Sequence, residues 1–357
     1  MTLLNIRNVK QMKKLQLKKW FSSLFLLSSL VFVANNAQAE GKLTVYCGVQ
    51  NKVCEDLTKR FSQKYNVETQ FIHGGTGTIL GKLKAEKDNP QADIWYGGTI
   101  EPHFQAGQMG LLEAYRSPLQ AEVLPQFKAL QESEAGKYTS IAYLMVLGFG
   151  INTEKLKQLG VEAPKKWADL LDPRLKGEVQ LADPRSSGTM YTTMITLIQL
   201  MGEEKAFEYL KKLDGNISQY VKSTLVTSNL SRGESAVTVG FAHGYASEKE
   251  KGAPVDYVLP KDGVGYALGA ASIIKGARNL DNAKLFMDWV LSKEVQEIPW
   301  RDHGLYQTPT NVKAEVAPQS PKLDGVKLVD VDYARFGSSE EGKRLVDKWL
   351  FNIKLSN

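Results

Sequence analysis

The chain has 357 residues, of which 43% are hydrophobic and 24% are charged. These proportions are those of an ordinary soluble protein, and the length allows two domains. The formal charge of +6 looks basic, but residues 1–39 carry the whole excess and contain no acid. The rest of the chain is formally neutral, which argues against nucleic-acid binding. The basic residues of this opening are Arg7, Lys10, Lys13, Lys14, Lys18 and Lys19.

Residues 1–39 have the three parts of a secretory signal peptide. The basic stretch precedes an apolar run over residues 20–33, and residues 37–39 form a small-x-small cleavage site. The apolar run is too short for a membrane span of ~20 residues. We predict cleavage after Ala39 and export to a Gram-negative periplasm as a free protein, because no cysteine stands at the cleavage site to carry a lipid. A start at Met12 would give a more usual signal length.

Three strand-to-helix units follow the predicted cleavage site. In each unit a short apolar strand ends in a glycine-containing loop, and apolar residues then recur at helical spacing. This order predicts a parallel α/β sheet, with a ligand crevice beyond the carboxyl ends of its strands. The strands are predicted around residues 43–45, 67–71 and 93–96, and the helices over 53–65, from 79 and from 101.

Two long apolar strands, predicted over residues 141–151 and 265–274, divide the rest of the chain. Two α/β lobes joined by extended crossovers near 140–150 and 260–274 are the simplest account of this order. Strands are further predicted at 179–182, 218–221, 236–241 and 255–259, a loop at 242–245, and helices at 190–201, 205–213, 280–290 and 340–353.

Residues 181–191 form the most informative of these strand–turn–helix stretches. The turn breaks at Pro184 and offers the hydroxyls of Ser186, Ser187 and Thr189. The first free N–H groups of the new helix and the positive end of its dipole suit a small anion. A capped helix start that binds no ligand gives the same pattern.

Other loops between strands and helices share this composition. Glycines let backbone N–H groups approach a ligand closely, and Ser and Thr hydroxyls add donors without charge. Five such loops on two lobes can enclose an oxyanion, although local structure alone also explains each of them. The loops contain Gly48, Gly74-Gly75-Thr76-Gly77-Thr78, Gly97-Gly98-Thr99, Ser186-Ser187-Gly188-Thr189 and Ser223-Thr224.

No catalytic or metal-binding motif accompanies these loops in the sequence. There is no Gly-x-Ser-x-Gly elbow, and Gly81-Lys82-Leu83 lacks the Ser or Thr of a phosphate-binding P-loop. The histidines are scattered, without the spacing of a metal site. We therefore predict a protein that is not an enzyme and holds neither a metal nor a cofactor. The histidines are His73, His103, His243 and His303.

Cys47 and Cys54 are the only cysteines. One leaves a predicted strand and the other lies in the first turns of a predicted helix, so that a disulfide is plausible in an oxidising compartment. Two buried thiols are the alternative. The spacing matches neither a zinc site nor a redox dithiol motif.

Three stretches carry a family resemblance: Leu43-Thr44-Val45-Tyr46, Ala92-Asp93-Ile94-Trp95-Tyr96 and Ala283-Lys284-Leu285-Phe286-Met287-Asp288-Trp289. In them the chain resembles the periplasmic solute-binding proteins of ABC importers, in the ferric-iron-binding-protein-like branch that includes sugar-phosphate and phosphonate binders. The resemblance implies a monomer with a type II two-lobed α/β fold, which closes on its ligand and delivers it to an inner-membrane permease. The implied lobes are residues 40–147 plus 263–312 and residues 148–262 plus 313–357.

Within this branch the iron binders use anionic ligands that the chain lacks. They hold iron with a His of the first loop, a Glu after the third strand and two adjacent tyrosines of the second lobe. This chain has Gln50, Gly97-Gly98 and Ala242-His243 at those places. Because a ferric ion needs anionic oxygen ligands, ferric iron is the alternative ligand and not the leading one.

The phosphate-holding parts of the branch do match. Residues 186–189 align with the helix start that holds phosphate, and Ser223 lies at a further phosphate contact. His243 matches a His of the sugar-phosphate binders, but Gly244 replaces the Asp that follows it there. We predict an organophosphate or phosphonate ligand, with a secreted phosphate-ester hydrolase as the alternative outside transport. The predicted ligand-binding residues are Gln50, Thr76, Gly77, Thr99, Ser186, Ser187, Gly188, Thr189, Ser223 and His243.

Overall fold

Three strand–helix units open the computed structural model, which describes residues 41–355. They comprise β1 (Lys42–Cys47), α1 (Asn51–Tyr65), β2 (Glu68–His73), α2 (Thr76–Ala85), β3 (Ile94–Thr99) and α3 (Ile100–Gln108). Val53, Leu57 and Phe61 recur at helical spacing and are buried, which explains why a helix follows the first strand. β1 pairs in parallel with β2 and β3, so that the carboxyl ends of the three strands meet at one edge.

A long buried strand then connects the two ends of the sheet. The next elements are β4 (Leu112–Glu113), α4 (Lys128–Glu132), β5 (Ser140–Asn152) and α5 (Thr153–Leu159). All 13 residues of β5 are buried. Its near-continuous apolar run is typical of a strand that is covered on both faces.

The second half of the chain repeats the parallel strand–helix order. Its elements are β6 (Val179–Ala182), α6 (Gly188–Met201), α7 (Glu203–Asp214), β7 (Ile217–Val221), α8 (Ser223–Ser231), β8 (Val237–Phe241), α9 (Ala242–Glu250) and β9 (Val255–Val258). β6 pairs in parallel with β7 and β8. The loop predicted at 242–245 is wrong, because the chain enters α9 directly after β8.

The last part of the chain first adds elements to the end of the sheet formed by the first half. It then finishes at the end formed by the second half. The last elements are β10 (Tyr266–Ile274), α10 (Leu280–Val290), α11 (Lys293–His303), β11 (Thr308–Pro309), α12 (Tyr333–Phe336) and α13 (Ser339–Trp349). β10 pairs antiparallel with β3 and β5, and β5 pairs antiparallel with β8. The sheet order is β2-β1-β3-β10-β5-β8-β6-β7. The predicted parallel pairing is therefore confirmed for β1, β2 and β3, whereas the two predicted crossover strands, β5 and β10, pair antiparallel.

Apolar side chains form two large cores, one at each end of the sheet. The first packs Phe61 of α1 against Phe286 of α10. The second contains Met194 of α6, Trp167 and Trp349 of α13. Each end of the sheet thus has its own core, which confirms the predicted two-lobed α/β fold.

Cys47 and Cys54 form the predicted disulfide, with an S–S distance of 2.09 Å. Both residues are buried. The bond ties the end of β1 to α1, across a loop that contains Gln50. The alternative of two free thiols is excluded.

The described part begins at residue 41, beyond the predicted signal peptide. Cleavage after Ala39 therefore lies outside the described residues. Between residues 41 and 355, no helix is both long enough and apolar enough to cross a membrane.

Candidate ligand-binding cavity

A cavity of about 390 Å³ lies at the carboxyl ends of the strands, where loops of the two halves face each other. Gly77 and Ser187 do not line it but line a neighbouring cleft of about 280 Å³, and Ser186 lines neither. Loops from both ends of the sheet therefore meet at one place. The predicted ligand-binding residues that line the cavity are Gln50, Thr76, Thr99, Gly188, Thr189, Ser223 and His243.

Six helices begin at this cavity. Helix N-termini carry partial positive charge and free backbone N–H groups. Among these described helices only α3 has an acid in its first turn, Glu101, so at the other five no carboxylate offsets the positive end. The cavity is therefore electropositive without a cluster of cationic side chains. The residues that precede the six first turns are Gln50, Gly75, Thr99, Ser187, Lys222 and Phe241.

The start of α6 has a hydroxyl cap. The Ser187 hydroxyl accepts a hydrogen bond from the Met190 N–H at 3.2 Å, and Ser187 is only 1% exposed. Ser187 therefore stabilises the helix start. The next two residues, Gly188 and Thr189, line the cavity.

Glycines allow the two halves to approach closely beside the cavity. A Cβ on Gly188 would lie 2.4 Å from Thr99 Oγ1 and 3.0 Å from Thr76 Oγ1. A Cβ on Gly75 would lie 2.9 Å from the Ser186 carbonyl oxygen. Any larger side chain at these positions would force the loops apart.

Two buried polar atoms of the lining lack a hydrogen-bond partner of normal geometry within residues 41–355, Thr99 Oγ1 and His243 Nδ1. Burial lowers the pKa of His243 to about 3, so its imidazole is neutral, and its ring lies parallel to that of Phe241 with the centroids 6.0 Å apart. An unpaired buried polar atom costs about 1–3 kcal/mol. Both atoms belong to residues that line the cavity.

The charged side chains near the cavity are already paired. Lys251 and Glu248 line it and form an ion pair at 2.8 Å. Arg185 is half-exposed and bonds Asp183 at 2.5 Å. Among the described residues, no group of three or more His, Cys, Asp or Glu side chains is arranged to hold a metal ion.

Sequence reasoning missed the contribution of β5 to the lining. The Tyr143 hydroxyl accepts a hydrogen bond from the Gly98 N–H at 3.0 Å and so holds the loop between β3 and α3. Met145 of the same strand and Leu305 add an apolar wall. The available signal was a tyrosine within an otherwise apolar strand, since a buried tyrosine hydroxyl usually has a partner.

Comparisons with known proteins agree with this geometry. Residues 89–336 match the family described as bacterial extracellular solute-binding protein. The periplasmic binding protein P5PA superposes with a TM-score of 0.87 at 69% identity, over 88% of this chain and 100% of that chain. AfuA from Actinobacillus pleuropneumoniae, solved with exogenous fructose 6-phosphate bound, superposes with a TM-score of 0.85 at 52% identity, over 88% of this chain and 99% of that one.

A more distant relative extends the comparison to phosphonates. It is a protein of Salmonella typhimurium named for periplasmic 2-aminoethylphosphonate binding, and it is 26% identical over 298 residues. The alignment covers 78% of this chain and 83% of the relative. With the family match over residues 89–336 and solved structures at 52% and 69% identity, this chain belongs to the bacterial extracellular solute-binding protein family.

Proposed function

We propose that this protein is the periplasmic component of an ABC importer and captures an organophosphate or a phosphonate between two lobes. The observation that carries the proposal is the convergence of six helix N-termini on one cavity. A phosphoryl group suits such a site because several backbone N–H groups can donate to its oxygens. Fructose 6-phosphate in AfuA and the 2-aminoethylphosphonate in the name of the Salmonella relative represent the two chemical classes.

The phosphoryl group is assigned to the start of α6. Its oxygens accept hydrogen bonds from the backbone N–H groups at Gly188 and Thr189. The hydroxyls of Thr76 and Thr99 face this point from the other half, within reach of a Cβ placed on Gly188. The unpaired Thr99 Oγ1 gains a partner in this arrangement.

Gly77, Ser186 and Ser187 support the site from outside the cavity. A Cβ on Gly77 would lie 3.0 Å from the Arg185 carbonyl oxygen and from Ser186 Cα, so that glycine lets the two loops meet. Ser187 caps α6 and fixes the direction of its first N–H groups.

The part of the solute other than its phosphoryl group is assigned to the side of the cavity away from the start of α6. There Gln50, Ser223 and His243 offer neutral polar groups, beside the rings of Tyr143 and Phe241. Neutral donors and acceptors next to an apolar wall suit a group with both polar and apolar faces.

Solute capture for transport depends on the closure of two lobes around the cavity. The assigned lobes are residues 40–147 plus 263–312 and residues 148–262 plus 313–357, with β5 and β10 running between them. Solute capture holds the lobes together, and the closed monomer presents both of them to an inner-membrane permease. The protein reaches the periplasm by cleavage after Ala39 and returns its solute chemically unchanged.

Thermal melting with a panel of solutes tests the proposal. The panel contains hexose phosphates, triose phosphates, 2-aminoethylphosphonate, inorganic phosphate and ferric citrate, with the unphosphorylated sugars as matched controls. A solute present at 100 times its Kd stabilises by about 2.7 kcal/mol, which raises the melting temperature clearly. We expect a phosphate ester or phosphonate to raise it and the sugar alone to leave it unchanged.

Two outcomes would overturn the proposal. Ferric citrate as the only stabilising compound, with a coloured complex, would establish iron binding. Release of inorganic phosphate from a bound ester would establish a hydrolase, because a transport protein must keep its solute intact.

A further inference from the structure

One wall of the cavity has a buried acid directly behind it. Glu101 lies in the first turn of α3, two residues after Thr99, and is 0% exposed. Neither of its carboxyl oxygens has a hydrogen-bond partner of normal geometry within residues 41–355. Thr99 lines the cavity, and its side-chain hydroxyl interacts with the Glu101 carboxyl.

The titratable groups that face Glu101 from other elements are phenols. They are Tyr191 of α6, Tyr266 of β10 and Tyr333 of α12. His103 of the same helix is also buried, and burial lowers its pKa to about 3, so it is neutral. None of these named groups is a cation that would compensate an ionised carboxylate.

The charged side chains of α12 and α13 that act on Tyr191 are Arg335, Arg344 and Glu341, and both arginines pair with Glu341 and with Glu203. α13 packs on α3 at Gly342, where a Cβ would lie 2.3 Å from Gln105 Nε2. Lys343 and Asp347 of α13 pair with each other and, with Lys84 of α2, line the separate cleft. Burial consequently raises the pKa of Glu101 to about 7, against smaller lowering effects of its own backbone N–H and of Thr99.

The protonation state of Glu101 decides what Thr99 can offer to a solute. A threonine hydroxyl has one hydrogen to donate and can accept. Beside an ionised Glu101, that hydrogen points to the carboxylate and only oxygen lone pairs face the cavity. Beside a protonated Glu101, the acid donates to Thr99 Oγ1 and the threonine hydrogen is free to donate to an anion.

We propose that protonated Glu101 is a positioning residue that turns the Thr99 hydroxyl towards the solute, so that capture of a phosphoryl group takes up a proton. The inference rests on the proposed function and adds a pH dependence to it. Above the point at which free Glu101 ionises, each captured solute has to return one proton to this carboxyl. Affinity therefore falls as the pH rises.

The test compares the wild-type protein with Glu101→Gln. The glutamine amide has the same shape and donates to Thr99 at every pH. Calorimetric titrations with fructose 6-phosphate, 2-aminoethylphosphonate and inorganic phosphate run from about pH 5.5 to about pH 8.5, in buffers of different ionisation heat. Ionisation of the solute itself affects both proteins equally and cancels in their affinity ratio.

We expect the wild-type affinity, relative to Glu101→Gln, to be constant below about pH 7 and to fall up to about tenfold per pH unit above it. The wild-type protein should also take up more protons on binding, by as much as one. Thr99→Val should remove the difference between the two proteins, which a purely structural role of Glu101 would not explain. An affinity ratio independent of pH would overturn the inference and leave the proposed function intact.

A second measurement needs no solute. Because the pKa of Glu101 is higher in the folded than in the unfolded protein, its stabilisation is complete at low pH and is lost as the pH rises through about 7. The melting temperature of the wild-type protein should therefore fall relative to that of Glu101→Gln between about pH 5 and about pH 8. Parallel melting profiles would overturn the protonation of Glu101, whereas failure of every panel solute to bind either protein would overturn the proposed function.

Discussion

Two helices of the second half, α6 and α9, begin at the same cavity but complete their first turns differently. At α6 the Ser187 hydroxyl accepts from the Met190 N–H at 3.2 Å, so this hydroxyl is used within the helix. At α9 Phe241 provides no side-chain cap, and the buried His243 Nδ1 has no partner among residues 41–355. The start of α6 thus has a side-chain cap, although its first N–H groups at Gly188 and Thr189 are not used by that cap, whereas the start of α9 has no cap and contains a buried polar atom without a partner.

This difference separates affinity from selectivity. Any phosphoryl group can accept from the N–H groups at the start of α6, so its contribution is the same for every solute of the class. His243 can pair only with a solute that places a donor or acceptor beside it. We therefore expect substitutions at the start of α6 to lower the affinity for all phosphoryl solutes by similar factors. Substitutions at the start of α9 should change which of these solutes binds most tightly.

The largest effect is expected for Ser187→Asp. Aspartate also caps helices well, so the start of α6 should still form, although Ser187 is only 1% exposed and burial of the new carboxylate should lower the melting temperature. Its charge adjoins the phosphoryl position, however, and like charges about 4 Å apart repel by about 4 kcal/mol at an effective dielectric of 20. Calorimetry should show a loss of about 100- to 1000-fold for every phosphoryl solute.

Ser187→Asn is the matched control, because asparagine caps equally well without a charge. Its affinities should remain within a few-fold of the wild type. An affinity for Ser187→Asp equal to that of Ser187→Asn would remove the phosphoryl group from the start of α6.

A smaller but equally general loss is expected for Gly188→Ala. The added Cβ would lie 2.4 Å from Thr99 Oγ1, so the two halves could not close fully around a solute. Overpacking of about 1–3 kcal/mol corresponds to a loss of about 5- to 150-fold for all solutes. X-ray scattering should also show a smaller contraction when solute is added.

Gly81→Ala provides the control for this glycine. Gly81 lies within α2, and a Cβ there would meet nothing within 4 Å. This variant should bind normally and melt slightly higher, because alanine favours a helix by about 1 kcal/mol over glycine. Equal affinities of the two variants would mean that close contact at Gly188 is not required for capture.

The starts of α6 and α9 also differ in how well the sequence predicts them. The start of α6 follows from local chemistry, since a serine cap before a glycine and an apolar run predicts a helix start with free N–H groups. The start of α9 is not predicted, because the sequence analysis places a loop at Ala242-His243-Gly244-Tyr245. Packing of the buried Tyr245, whose hydroxyl bonds the Thr238 side chain at 2.7 Å, holds this turn in place.

Long-range pairing accounts for the other differences. Periodicity predicted β10 as a strand but not its antiparallel pairing with β3 and β5, because strand partners are set by tertiary packing. The position of Tyr143 beside the cavity also depends on tertiary packing, because its hydroxyl bonds Gly98, which is distant in sequence. In the sequence Glu101 is an ordinary first-turn acid, and only the structure shows that it is buried behind Thr99, where burial raises its pKa to about 7.

The smallest and most selective effect is expected at His243. His243→Phe keeps a ring beside Phe241 but removes both nitrogens, while His243→Asn keeps one polar group. The loss of one buried hydrogen bond should weaken the best organophosphate or phosphonate of the panel about tenfold in His243→Phe and less in His243→Asn. The affinity for inorganic phosphate, which has no further group to pair with His243, should change less than about threefold.

Because burial lowers the pKa of His243 to about 3, the imidazole is neutral at about pH 5 to 8 and the loss of affinity should not depend on pH in that range. An equal loss for all solutes would instead make His243 part of the phosphoryl site and would remove the distinction between α6 and α9.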